Sequence, residues 1–258
     1  MKIIDTHTHI YDEKFDEDRG EVIDRAINQG VTQLLLPNID VSTISILKNV
    51  VHKYPEVCFP MMGLHPTSVK ENWKEELEEI KKELYNHQSE YIAVGEIGID
   101  LYWDKTFVNE QKYVFAEQIK WAKELNLPIA IHARDSFDEI FEVLDEQDDE
   151  NLRGVFHCFS GGEFEIDKIL NYHNFYFGIG GVYTFKKSHL PSIIDKIPKN
   201  KLIVETDSPY LAPTPKRGKR NESSYTYFIV EKLAKDLNMS ITEMANLTTK
   251  NAKCLFDF

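Results

Sequence analysis

The chain has 258 residues, 42% of them hydrophobic, enough to bury a sizeable core as one large domain or two small ones. Its formal net charge of −13 excludes a protein that holds nucleic acid through a generally basic surface. No apolar run approaches the roughly 18 residues of a membrane span, and no basic n-region or apolar h-region precedes the first strand, which predicts a cytoplasmic protein.

The first predicted strand, "KIID", runs into "DTHTH". Side chains at i and i+2 of a strand share a face, so His7 and His9 present two imidazoles side by side, with Asp5 on that face behind them. Such a pair can grip one metal ion, or it can be polar residues where a strand meets solvent; further ligands decide between the two. Seven more Val-, Ile- and Leu-rich runs follow: "VTQLLLP", "VCFPMMG", "YIAVGEIG", "LPIAIHA", "RGVFHCF", "FYFGIGG" and "KLIVETD". Between them lie helix-spaced stretches such as "EELEEIKKEL", with Leu77, Ile80 and Leu84 on one stripe, and "FAEQIKWAKEL", with Ala116, Ile119, Ala122 and Leu125 on another. After the eighth strand come "SYTYFIVEKLAKDL" and Ser240-Ile-Thr-Glu243, which has the form of a capping box opening a terminal helix.

Eight strands alternating with helices, unbroken by any linker, predict an α/β protein: a single-domain (β/α)8 TIM barrel over residues 1–258 with an extra C-terminal helix. A doubly wound open sheet is the alternative, but it usually has fewer strands, and no GxGxxG follows the first one. In such barrels the catalytic groups come from the C-terminal ends of the strands. Those ends carry His7 and His9, His65 in "GLHP", Glu96 in "GEIGID", His132 in "IHAR", His157 in "FHCFSGG" and Asp207 in "ETDSP". The other histidines, His52, His87, His173 and His189, fall at helix ends or in connections and are left out of the site.

So many polar groups on one rim would be left unpaired unless something bound them, and metal ions are the economical answer. His7, His9, Glu96, His132, His157 and Asp207 are too many for one tetrahedral zinc and suit two ions sharing a bridge. Glu96, from the middle strand of the set, is the natural bridging carboxylate. The first ion then falls on His7, His9, Glu96 and Asp207, and the second on Glu96, His132 and His157, each keeping an open position for water. Imidazole-rich ligation favours zinc, manganese or nickel in affinity, while magnesium is the abundant alternative.

"DTHTH", "GLHP", "GEIGID", "IHAR", "FHCFSG" and "ETDSPYLAPTPKRGKRN", in this order and spacing, resemble the TatD family of metal-dependent deoxyribonucleases, within the hydrolase barrels related to amidohydrolases. The similarity runs from Lys2 to the closing "NAKCLF". It implies metal ligands at the same six positions. Many relatives in the wider superfamily carry a carboxylated lysine as the bridge; this chain has Glu96 there, so no lysine modification is needed.

The implied chemistry is hydrolysis of DNA phosphodiesters by a two-metal-activated water, with no covalent enzyme intermediate. Asp207 can ligate the first ion and accept the proton of the attacking water, or act as ligand only. Glu205 shares its strand face and reads as a structural acceptor or as an acid on a third ion. His65 is either a substrate or leaving-group contact or a buried histidine bonded to a backbone carbonyl.

Two charge clusters flank this set. The acidic "DEQDDE" at 145–150 reads as the solvated end of a helix. The basic "KRGKR" at 216–220 follows strand eight, where Arg217 and Arg220 could pair with phosphate oxygens or simply occupy a solvated loop. Divalent ions would invert the local charge, so binding should be short-range and suited to strand ends or single-stranded DNA, with cleavage from the ends. The same site could instead hydrolyse an ester or amide, as a D-aminoacyl-tRNA deacylase or a small-molecule amidohydrolase does, and a non-enzymatic metal or nucleic-acid binder is the third reading. No obligate protein partner is evident. Cys58, Cys158 and Cys254 form no CxxC pair and fit buried thiols in a reducing compartment.

Overall fold

Each of the eight apolar runs forms a strand: β1 (Ile3–Asp5), β2 (Val31–Leu36), β3 (Cys58–Pro60), β4 (Val94–Asp100), β5 (Ile129–Arg134), β6 (Gly154–Phe156), β7 (Phe175–Ile179) and β8 (Leu202–Val204). These positions come from a computed structural model that describes residues 1–172 and 174–257. His173, left out of the site above, lies outside the described residues. All pairings are parallel and sequential, in two ladders, β1-β2-β3 and β4-β5-β6-β7-β8. The ring is completed at its two seams by isolated parallel bridges, Met62 with Val94 and Thr8 with Ser208, instead of continuous ladders. At the second seam Thr6 N donates to Val204 O (3.1 Å) and Asp207 N to His7 O (2.9 Å).

The helices are α1 (Arg19–Asn28), α2 (Val41–Lys53), α3 (Trp73–Asn86), α4 (Val108–Leu125), α5 (Phe137–Gln147), α6 (Glu163–Asn171), α7 (Thr226–Asp236) and α8 (Ile241–Phe256). The seventh crossover departs from the expected alternation. Among the described residues it holds only short 3-10 turns, at Gly181–Thr184, Leu190–Ser192, Ile194–Lys196 and Lys199–Lys201. Pro191 and Pro198 each remove a backbone donor that an α-helix would need, while Leu190, Ile193, Ile194 and Ile197 still bury their side chains. The expected stripes are present: α3 buries Leu77, Ile80 and Leu84, and α4 buries Ile119 and Ala122 with Ala116 and Leu125 half-buried. Polar Gln118 is also buried on α4, because its amide satisfies both backbone groups of Leu64, at 2.7 and 3.2 Å. The capping box of α8 forms between Ser240 and Glu243, a cap worth about 1 kcal/mol.

The core has two layers. Most apolar side chains fill the space between strands and helices. A second cluster takes inward residues one strand at a time, Ile4, Leu35, Met61, Ala130, Val155 and Ile203, and joins them to Ala252, Leu255 and Phe256 of α8. Asn251 Nδ2 donates to Leu202 O (2.8 Å) and Thr249 Oγ1 to Lys2 O (2.8 Å), so the extra helix plugs the end where the strands begin. The period of two along a strand then carries this inward face to the other end. Two residues beyond Ala130, Val155 and Ile203 stand His132, His157 and Glu205, and Asp207 follows past the end of β8 with a left-handed backbone, φ +56°. No helix among the described residues is long and apolar enough to cross a membrane. Of the three thiols expected to be buried, only Cys58 is; Cys158 is half-buried and Cys254 is exposed on α8.

Candidate metal centre

β1 stops at Asp5, so His7 and His9 stand just past its end and not within it. Asp5 therefore does not back the two imidazoles. Its buried carboxylate accepts from Thr206 N (2.8 Å) and Thr206 Oγ1 (2.6 Å), tying β1 to β8. The rings of His7 and His9 still lie together, 5.2 Å between centroids, and His7 stacks on His157 at 3.4 Å.

Glu96 sits at the centre. Between the pairs Val94–Ile129 and Ile97–Ile131 the register slips, so β4 carries one extra residue there, a bulge that re-aims the side chain between them. The buried carboxylate turns Oε2 toward His7 Nε2 (3.1 Å) and His9 Nε2 (3.7 Å), and Oε1 toward His132 Nδ1 (2.9 Å), His65 Nε2 (3.4 Å) and His157 Nε2 (3.7 Å). Asp207 Oδ1 lies 3.4 Å from His9 Nε2 and 3.8 Å from His157 Nε2. Glu96 thus meets four of the other five expected ligands directly, and Asp207 joins them through His9 and His157. His65, expected on the rim outside that set, lies in the same cluster with Glu96 and His132.

Hydrogen bonds fix several tautomers. Tyr11 donates its only O–H to Pro37 O (2.5 Å), so its oxygen accepts from His9 Nδ1 (3.0 Å) and leaves His9 Nε2 as a lone pair facing two carboxylates. His132 Nε2 reaches Asp100 Oδ2 at 2.8 Å, which anchors that side of the ring and turns Nδ1 inward to 2.9 Å from Glu96 Oε1. His65 is the opposite case: its Nδ1 accepts from Thr67 N (3.1 Å), so the neutral ring carries its proton on Nε2, pointing into the cluster as a donor. The lone pair of His9 aimed at carboxylate oxygens without an intervening proton is what a cation would satisfy, so the donor set fits divalent metal. A third grouping joins His7, His157 and Glu205. There His157 Nδ1 stands 2.8 Å from Glu205 Oε1 outside hydrogen-bond geometry, and Glu205 Oε2 has no hydrogen-bond partner among the described residues.

Burial would push Glu96 upward, yet His7, His65 and His157, with the hydrogen bond from His132, hold its carboxyl well below the usual range. Asp207 is likewise lowered against its burial by His9 and His157. Burial lowers His7 and His65 toward the neutral imidazole a ligand or donor needs. His157 goes the other way: despite burial, Glu205 and Glu96 push it up to about 10, and Asp100 and Glu96 raise His132. A cation taking these nitrogens would displace the protons that His132 and His157 hold without it.

These groups open into a cavity of about 500 Å³. Asp100, Trp103, Arg134 and Tyr210 also line it, and sequence reasoning did not single them out. Asp100 was visible in principle, since it lies four residues beyond Glu96 on β4 and so shares its face. Arg217 and Arg220 do not line the cavity. Arg220 forms a two-pronged pair with Asp18 (2.8 and 2.6 Å) and donates to Lys14 O (2.6 Å), while Arg217 lies 3.7 Å over the Phe185 ring and donates to Ala212 O (3.3 Å).

The chain matches the family described as TatD related DNase over residues 4–257. It is 39% identical over 255 residues to the uncharacterized metal-dependent hydrolase YabD of Bacillus subtilis, covering 98% of each chain. It is 30% identical over 261 residues to the 3'-5' ssDNA/RNA exonuclease TatD of Salmonella typhimurium, covering 99% of each. Among solved structures, the TatD homologue YJJV of Escherichia coli superposes with a TM-score of 0.92 at 27% identity, over 99% of this chain and 98% of that one.

Proposed function

Because the chain belongs to the family of TatD-related DNases and is a metal-dependent hydrolase, we propose that it degrades single-stranded DNA from the 3′ end with two divalent ions held at the barrel mouth. The observation that carries this reading is Glu96, whose two oxygens serve separate groups of nitrogens. The strand preference and polarity follow the name of the Salmonella relative. His7, His9, Asp207 and Glu96 Oε2 would hold one ion, and His132, His157 and Glu96 Oε1 the other. Divalent ions bound there would supply Lewis acidity for water activation and for charge developing on the phosphate.

The chain's own residues do the rest. Tyr11 holds His9 with a lone pair facing inward, and Asp100 would hold His132 by Nε2 so that Nδ1 can face an ion. Asp207, ionised and facing the cavity, accepts the proton of the attacking water. His65 Nε2–H donates a hydrogen bond to the phosphate or the leaving oxygen; its Nδ1 accepting from Thr67 N and its place on the cavity wall support this reading.

The test is a panel of 5′-labelled linear single-stranded, duplex and circular single-stranded DNA, with a D-aminoacyl-tRNA and a small ester alongside. Each is incubated with chelated protein and with zinc, manganese, nickel or magnesium restored. Stepwise shortening of the linear single strand from its 3′ end, only with metal and with the circle spared, is the expected result. Metal-dependent hydrolysis of the ester or aminoacyl-tRNA without cleavage of any DNA would overturn it.

A further inference from the structure

Beyond the metal centre, the loop that leaves β4 carries two consecutive exposed aromatics, Tyr102 (54% exposed) and Trp103 (69%). Water-facing rings of that size call for a reason where they flank a cavity. Trp103 lines the same cavity as Glu96 and His132. The two rings meet edge to face, 4.9 Å apart at 87°, and the Arg134 guanidinium lies 3.9 Å over Tyr102 and 5.3 Å from Trp103. Arg134 stands two residues beyond His132 on β5 and also lines the cavity. Unlike Arg220, it has no carboxylate partner among the described residues, so its charge is free for a ligand.

One side chain locks this group to the reacting centre. Asp100 Oδ1 accepts from Tyr102 N (3.0 Å) and Trp103 N (3.1 Å), while Oδ2 meets His132 Nε2 (2.8 Å). The aromatic loop and the metal-facing histidine are thus aimed by the same buried carboxylate.

Building on the nuclease reading, we propose that Tyr102, Trp103 and Arg134 form a shelf that stacks one unpaired nucleobase of the substrate strand on the exposed indole of Trp103, with Arg134 meeting a neighbouring phosphate. An aromatic face accepts any base, and a guanidinium laid on a ring can pair with phosphate without leaving it. In a duplex both faces of a base are already stacked, so the shelf selects single strands. It is local enough to work on a chain of net charge −13.

The test compares Trp103→Ala, Trp103→Phe and Arg134→Ala with wild type. Hydrolysis of a single-stranded oligothymidylate is followed with metal present, and binding of a fully phosphorothioated oligothymidylate, which is charged and resists cleavage, is followed by fluorescence anisotropy. A fully abasic strand of the same length serves as control. Trp103→Ala should raise KM and Kd about 5- to 150-fold, with kcat changing less and Trp103→Phe staying near wild type. The abasic strand should bind wild type and Trp103→Ala alike, whereas Arg134→Ala should weaken both strands. Unchanged KM and Kd in Trp103→Ala, or equal loss on the abasic strand, would overturn the shelf and leave the nuclease reading standing. Base-dependent binding through Trp103 without hydrolysis of any strand would do the reverse.

Discussion

The rim of strand ends and the loop after β8 both stood out in the sequence, and the structure treats them differently. At the rim, His132 on β5 and His157 just past β6 turn to Glu96, while Asp207, beyond β8, faces His9 and His157. In the loop, three of the four cations of "KRGKR" spread over neighbours instead: Arg220 on Asp18, Arg217 on Phe185, Lys216 near Tyr225 at 5.2 Å. A strand fixes the direction of its side chains within the chain itself, whereas a loop cation goes to whichever carboxylate or ring the fold brings near. Side chains on or just past the strand ends therefore gather near Glu96, whereas the guanidinia of the loop are taken up elsewhere in the fold.

The sharpest way to break the comparison is Glu96→Ala. If one carboxylate serves both halves of the cluster, hydrolysis should fall more than about 100-fold, beyond the usual cost of losing an outer partner of a metal ligand, and further than in His132→Ala. Equal or smaller loss in Glu96→Ala would mean the rim does not converge as described. Next in size is Asp100→Asn, which removes the carboxylate that holds His132. Activity and metal affinity should drop about 10- to 100-fold while thermal stability changes little, a split that metal titration and calorimetry would show. The double variant Arg217→Ala, Arg220→Ala sharpens the contrast from the other side. With both guanidinia occupied inside the fold, KM for an oligonucleotide should change by less than about twofold; a large rise would return the loop to the binding surface.

The smallest expected effect is on stability. Hydrogen bonds from Arg220 hold the Asp18 carboxyl below its usual value, so in acid the native state binds fewer protons than the unfolded chain. The stabilisation is complete above the unfolded carboxylate pKa and is lost as pH falls through the lower folded value. Arg220→Ala should cost less than about 1 kcal/mol near neutrality, and denaturant titrations of the two proteins should converge as pH drops.

Much of this molecule was legible in advance for physical reasons. Eight apolar runs with helical spacing between them left few topologies open, and the capping box at Ser240 marked the last helix. The seventh crossover departs from the alternation because Pro191 and Pro198 interrupt its apolar run, so short 3-10 turns stand where a helix was expected. Asp5 was misplaced because the strand ends two residues sooner than the HxH spacing assumed. Tyr11 and Asp100 were missed for another reason. Their roles lie in which ring nitrogen keeps a proton, which depends on contacts such as that of Tyr11 with Pro37 that no local pattern announces. Arg134 stood in the quoted "IHAR", yet only the fold shows that it lies on Tyr102.

If Glu96 joins two ions, the metal content of manganese-saturated, desalted protein shows it, measured by elemental analysis for wild type, His132→Ala and Glu96→Ala with folding checked by circular dichroism. Two ions per wild-type chain, one in His132→Ala and none retained in Glu96→Ala are expected. A single ion in wild type, or a folded Glu96→Ala that still holds two, would contradict it.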